Sequence, residues 1–132
     1  MIQVYKRMQK MREKYIDTIA KLYEYATTVY SKNTYTQWYD TKKGAYTFAS
    51  FKNECDALSK KLTQYGIGSG DKVAILSQSM PNWSVAFFAT VAYGRISIPI
   101  LPDSSENEET NIINHSESKD IFVSKRIAGK IS

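Results

Sequence analysis

Apolar positions along the chain fall into helix-spaced stripes and short continuous runs, separated by glycine, proline and serine-rich turns. Val4, Met8, Met11, Tyr15, Ile19, Leu22, Ala26 and Val29 recur at three- and four-residue steps, the period of one helix face. Asp17 or Thr18 can cap a second helix within that stretch, ending near Lys32 and Asn33. Aromatic and β-branched residues at 34–40 and 45–48 flank Thr41-Lys42-Lys43-Gly44, which predicts a hairpin. Thr47 then caps a helix from Phe48 to about Tyr65, with Phe51, Cys55, Leu58 and Leu62 inward and Gly66 closing it.

The centre of the pattern is the stretch from Gly66 to Pro102. Val73 to Leu76 form a continuous apolar run behind a Gly/Ser/Asp cluster, as in a strand covered on both faces. Pro81 suits a first helical turn, where a missing N–H costs nothing, and Gly94 can take the left-handed conformation that ends a helix. Ile96 to Ile100 form the next strand, and Pro99 removes a ladder donor, which puts it at a strand end or on an edge. The result is a βαβ unit with a right-handed crossover. Ser105 and Glu108 form a capping box ahead of a last helix with Ile112 and Ile113 inward, and Ile121 to Ser124 form a further strand. From Lys72 onward the order is β-α-β-α-β. The fold class is therefore α/β, a mainly parallel sheet with flanking helices, preceded by a helix and a hairpin.

At 132 residues, 42% hydrophobic and 23% charged, the chain has the size and composition of one globular domain. No apolar run approaches the roughly 18 residues of a membrane span, and the charged N-terminus is no secretory leader. One cysteine, Cys55, excludes an intrachain disulfide and fits a reducing compartment, so a cytoplasmic location is expected. In Met1–Lys14, five cations against Glu13 supply +4 of the net +5. The plain reading of residues 1–16 is a basic, solvated helical extension; the alternative is peripheral membrane contact through 1–14. The body of the domain shows no basic stripe, so nucleic acid is not an expected partner.

Four groups invite a chemical reading. Gly66, Gly68 and Gly70 suggest a phosphate loop, but such loops follow a strand and open a helix, whereas here a helix ends and a strand begins. They read as a helix stop and turn, with Asp71 and Lys72 exposed after it. His115, the only histidine, has no second ligand at metal spacing, and neighbouring Glu117 lacks a nucleophile to serve. A surface or capping role fits it better. Cys55 lies on an apolar helix face and reads as a small hydrophobe. Trp38, Trp83 and the ten tyrosines read as packing, with Trp83 alternatively covering a pocket. No catalytic, cofactor-binding or metal-binding residue is assigned in residues 1–132.

The same stretch carries a resemblance. Tyr46, Thr47, Phe48 and Phe51 match a YT(Y/F)xxF opening, and Gly66 and Gly70 to Ile75 match GxxxGDKVAI. Ser79 and Trp83 stand at a helix start similar to an Asn-Ser…Trp segment, and Ala89 to Ile100 resemble AxxxAGAxxVPI. From Leu22 to Ser124 this is similar to the N-terminal part of the adenylate-forming (AMP-binding) enzymes. His115-Ser116-Glu117 before Asp120–Val123 is most similar to the bacterial long-chain fatty-acid CoA ligases. Gln78 and Arg95 depart from the pattern, replacing an Asn and a small residue; a long cation at the start of a buried strand must snorkel or pair. The resemblance implies that residues 17–132 are a partial N-terminal subdomain of an acyl-CoA synthetase fold. It implies ATP, Mg2+ and CoA for the intact enzyme, with a fatty acid as the acylated substrate and AMP and pyrophosphate as products. The family's phosphate loop ending in Pro-Lys-Gly, its acidic metal residue, ribose-binding Asp and mobile-domain Lys are absent from these residues. The fragment is therefore expected to be inactive, to need the remainder of the ligase as its partner, and to self-associate through surface that the remainder would cover. A stand-alone α/β binding or regulatory module is the alternative, with a pocket at its strand ends.

Overall fold

The computed structural model describes residues 16–129 together with Lys6. The helix face from Val4 to Tyr15 and the basic extension thus lie outside the described residues, apart from Lys6 and Ile16. Helix α1 (Ile19–Val29) starts where the Thr18 hydroxyl accepts the Lys21 N–H. Strands β1 (Thr34–Gln37) and β2 (Ala45–Thr47) pair antiparallel around a 3-10 turn at Thr41–Lys43. Helix α2 (Phe48–Gln64) opens on a Thr47–Ser50 capping box. Then follow β3 (Lys72–Leu76), α3 (Pro81–Val91), β4 (Ile96–Ile100), α4 (Glu106–Ser116), β5 (Asp120–Val123) and the short α5 (Lys125–Ala128).

β3, β4 and β5 form a parallel sheet in the order β4-β3-β5, so β3 is central and pairs with both neighbours. Its residues Val73, Ala74, Ile75 and Leu76 are all buried, as a strand covered on both faces requires. Val73 and Ile75 point to the face covered by α2 and α3, where Leu62, Ile67 and Phe122 pack around Val73. Ala74 and Leu76 point to the other face, against Ile100, Ile112, Ile113 and Ile127. β3→β4 and β4→β5 run in opposite directions across the sheet, and their helices α3 and α4 lie on opposite faces. Right-handed crossovers require that arrangement.

Two features correct the sequence expectations. The helix face of Ile19, Leu22 and Val29 is exposed, at 45, 37 and 51%, while Tyr23 and Thr27 are buried. The buried stripe is thus turned by about 100°, one residue of helix. The reason is aromatic: Tyr23 packs against Phe51, Phe88 and Tyr93 at centroid distances of 6.1, 5.7 and 6.1 Å. Its ring offers more area to the core than any aliphatic side chain of the helix. α1 also stops at Val29, because Tyr30 to Asn33 form a turn bonded to the start of α2 through Phe48 N–H to Asn33 O and Ala49 N–H to Ser31 O.

Arg95 neither snorkels nor forms an ion pair. It is 6% exposed, and its guanidinium donates five hydrogen bonds: to Ile67 O, Ser59 O, Ser59 Oγ, Thr63 Oγ1 and Ala89 O. Two carbonyls lie at or just beyond the C-terminal half of α2, where the helix dipole is negative and favours a cation. Burial pushes its pKa down and the nearby Asp71 opposes that shift. Arg95→Met is expected to cost about 2–4 kcal/mol, because it strands buried acceptors, and Arg95→Lys to recover part of the loss. Urea unfolding midpoints read this; a Met variant as stable as the parent would contradict it.

Candidate functional site

A cleft of about 830 Å³ opens beyond the carboxyl ends of β3 and β5. Ile75 and Phe122, neighbours in register, form its floor. Leu58 of α2 and Trp83 and Val85 of α3 supply apolar walls, and Lys60, Lys61, Lys125 and Glu54 give it a charged rim. The chain leaves β3 towards β4 on one side, and β5 lies on the other, so the cleft sits at the topological switch point of the sheet. Open α/β sheets bind ligands in that crevice. Trp83 stacks on Phe87 at 5.3 Å while also lining the cleft, so both sequence readings of this residue hold.

The hydroxyls of the cleft are tied to its walls. Ser77 Oγ donates to the carbonyl of Gln78 at 2.9 Å, and Ser124 Oγ donates to Gln78 Oε1 at 2.6 Å. Neither hydroxyl faces a base that would activate it. Tyr46 donates to Asn82 Oδ1 at 3.2 Å, and burial, followed by the Glu54 charge, pushes its phenol upward. Gln78, a departure from the family pattern, thus ties the end of β3 to the end of β5.

The other candidates separate cleanly. Gly66 and Gly70 have φ of 79° and 83°, values open to glycine at turns. The Gly68 N–H donates to Asp71 Oδ2 and the Gly70 N–H to Gly94 O, both at 2.8 Å, so these amides face the protein and form no anion cradle. Asp71, expected to be exposed, is half-buried: its other oxygen pairs with Lys119 Nζ at 2.8 Å. Lys119, and then the Gly68 N–H, hold its carboxyl below the usual range. His115 is exposed in the last turn of α4, and Glu117 caps that helix with φ 56°. Among the described residues no group of three or more His, Cys, Asp or Glu could hold a metal ion.

A half-buried polar cluster went unnoticed in the sequence. The Tyr93 hydroxyl donates to Asp56, which also pairs with Lys52 at 3.3 Å, and Tyr23 and Tyr93 hydroxyls meet at 3.3 Å. Only the four-residue spacing of Lys52 and Asp56 signals any of it. Burial raises the Tyr23 phenol, and it packs beside the fully buried Cys55.

With the geometry in place, residues 23–131 match the family of AMP-binding enzymes, and the chain belongs to that family. It is 27% identical over 95 residues to long chain acyl-CoA synthetase 2 of Arabidopsis thaliana, which covers 70% of this chain and 14% of that protein. It is 28% identical over 86 residues to the medium-chain fatty-acid–CoA ligase of Escherichia coli, covering 63% of this chain and 15% of that one. The chain thus spans about one seventh of the length of these two relatives. Among solved structures, the N-terminal domain of FACL13 from Mycobacterium tuberculosis superposes with a TM-score of 0.75 at 21% identity, over 86% of this chain and 29% of that one. That likeness is one of fold: a parallel three-stranded sheet with flanking helices, as expected from the sequence.

Cys55 is 0% exposed, and burial pushes its thiol up to about 12. It is expected to react with a water-soluble thiol reagent at neutral pH only as fast as the fold opens. Labelling that is complete on mixing, without denaturant, would contradict its placement.

Proposed function

We propose that this chain is the leading part of an ATP-dependent acyl-CoA ligase acting on fatty acids. A carboxylate oxygen attacks the α-phosphorus of ATP, pyrophosphate leaves, and the thiol of CoA then displaces AMP from the acyl carbon. The observation that carries this reading is the family match over residues 23–131, supported by relatives named as acyl-CoA synthetases and CoA ligases. The passage through an adenylate follows from leaving groups: a carboxylate oxygen leaves poorly and AMP leaves well.

In this reading the 132 residues provide scaffold and no catalytic group, with residues 1–16 as an extension and 17–132 as the subdomain. Among the described residues no group of three or more His, Cys, Asp or Glu comes together, and the Gly68 and Gly70 amides are bonded within the protein. In this reading ATP, Mg2+ and CoA are held by residues outside this chain, and the fragment by itself is inert. Exposed apolar side chains at Ile96 and Leu101, 45 and 75% exposed, support self-association of the isolated fragment. The chain length of the acyl group is left to those other residues. A cytoplasmic location accords with the single thiol and with the described helices, none of which is long and apolar enough to cross a membrane. The cleft at the strand ends favours a second reading, a stand-alone binding module. It would be supported by a reading frame that closes after Ser132.

ATP–pyrophosphate exchange separates the two. The purified 132 residues are expected to show no carboxylate-dependent exchange above background, while the natural protein containing them exchanges with fatty acids. Exchange by the 132 residues at a rate near that of an intact ligase would overturn the assignment of the chemistry elsewhere.

A further inference from the structure

We propose that residues 1–15 fold back on α1 as an antiparallel helix, so that their apolar stripe covers the exposed face of Ile19, Leu22 and Val29. The segment lies upstream of the family match at residues 23–131. The inference therefore concerns this chain's own addition and stands apart from the ligase reading.

Ile19, Leu22 and Val29 are three of the five exposed large aliphatic side chains among the described residues. At about 100° per residue they fall, together with Ala26, within an arc of about 80° on α1. Tyr23 and Thr27, on the adjoining arc, turn into the domain and are buried. An apolar arc of this width is what a helix buries against a neighbour, and here it faces outward.

The chain immediately upstream supplies a matching surface. Val4, Met8, Met11 and Tyr15 fall within an arc of about 60° when the same helical step is applied. Lys6, described within this segment, is helical and exposed, and that step places it roughly opposite the stripe. Ile16, Asp17 and Thr18 separate the segment from α1, and the Thr18 hydroxyl starts α1 afresh by accepting the Lys21 N–H. Three residues suffice for an αα-hairpin, whose loops run to roughly two to five.

Length and charge agree with the fold-back. As helix, Val4 to Tyr15 spans about 16 Å and Ile19 to Val29 about 15 Å. With Asp17 at the centre of the loop, Met8 comes opposite Ala26, and Lys6 and Arg7 come beside the last turn of α1. That turn carries no cation of its own and is the negative end of the helix dipole. Met1–Lys14 hold five cations against one acid, so the segment is complementary to that end. Lys6, Lys10 and Lys14 then face water while the apolar stripe does not.

Disulfide closure in the intact natural protein tests the arrangement, because two cysteines join only when their Cα atoms come within about 7 Å. Met8→Cys with Ala26→Cys is expected to close within one chain on mild oxidation. Its yield should exceed that of Lys10→Cys with Ala26→Cys by at least about fivefold, since position 10 lies on the outward side. Peptide mass spectrometry reads the linkage, and the fully buried Cys55 stays out of the reaction. Equal yields from the two pairs would mean an undocked segment, and closure only between two chains would put a second copy on the face. Either result would overturn the inference. So would failure to close in solution combined with sedimentation on phosphatidylglycerol vesicles, which would assign the face to an anionic bilayer. Deletion of residues 1–15 gives a second readout: the amides of residues 22–29 are expected to exchange at least about tenfold faster. Unchanged exchange would contradict docking.

Discussion

The buried guanidinium of Arg95 is the constraint on which the geometry of the sheet depends. It joins three elements: the C-terminal half of α2 through Ser59 and Thr63, the turn before β3 through Ile67 O, and, nearer in sequence, the end of α3 through Ala89 O. A cation removed from water without a carboxylate partner is costly unless every donor is used. Here the planar fork meets carbonyls and hydroxyls at distances of 2.8 to 3.4 Å, and the negative end of α2 faces the charge. The arrangement locks α2 and α3 together over one face of β3 before β4 begins. Gly94 precedes Arg95 with φ 84°, and the Ser69 side chain lies 2.8 Å from where a Cβ would stand, so glycine is required there.

From that lock the cleft follows. With α2 and α3 fixed on the face of Val73 and Ile75, the carboxyl ends of β3 and β5 are left open between Leu58, Trp83 and Phe122. The opening is shaped by scaffold residues, and its hydroxyls bond to Gln78 instead of to a base. In the proposed reading, this domain of an AMP-binding enzyme supplies walls, and the acid, base and metal ligands come from elsewhere; fold and chemistry are separable in that way.

Much of this was legible from residue pattern because it is local. The apolar run Val73 to Leu76, the Thr47 cap, the Ser105 capping box, the Pro81 helix start and the Gly66 and Gly94 stops are each decided within a few residues, and all occur where expected. What escaped was non-local. The orientation of α1 is decided by Tyr23 meeting Phe51, Phe88 and Tyr93, which helical periodicity cannot see. The partners of Arg95 lie 28 to 36 residues upstream, with the exception of Ala89, so the need for compensation was readable but its form was not. The cleft was expected only as a general property of a strand-end crevice, because its lining comes from α2, α3 and β5 together.

The central claim is that these residues hold the shape of an adenylate-forming enzyme and leave the nucleotide to others. A crystal structure of the intact natural protein with ATP and Mg2+ tests it directly. The account predicts that no backbone amide of Gly66 to Gly70 and no side chain of residues 16–129 contacts the triphosphate or the metal. Phosphate bound at the glycine turn, or a Mg2+ ligand from within these residues, would contradict it.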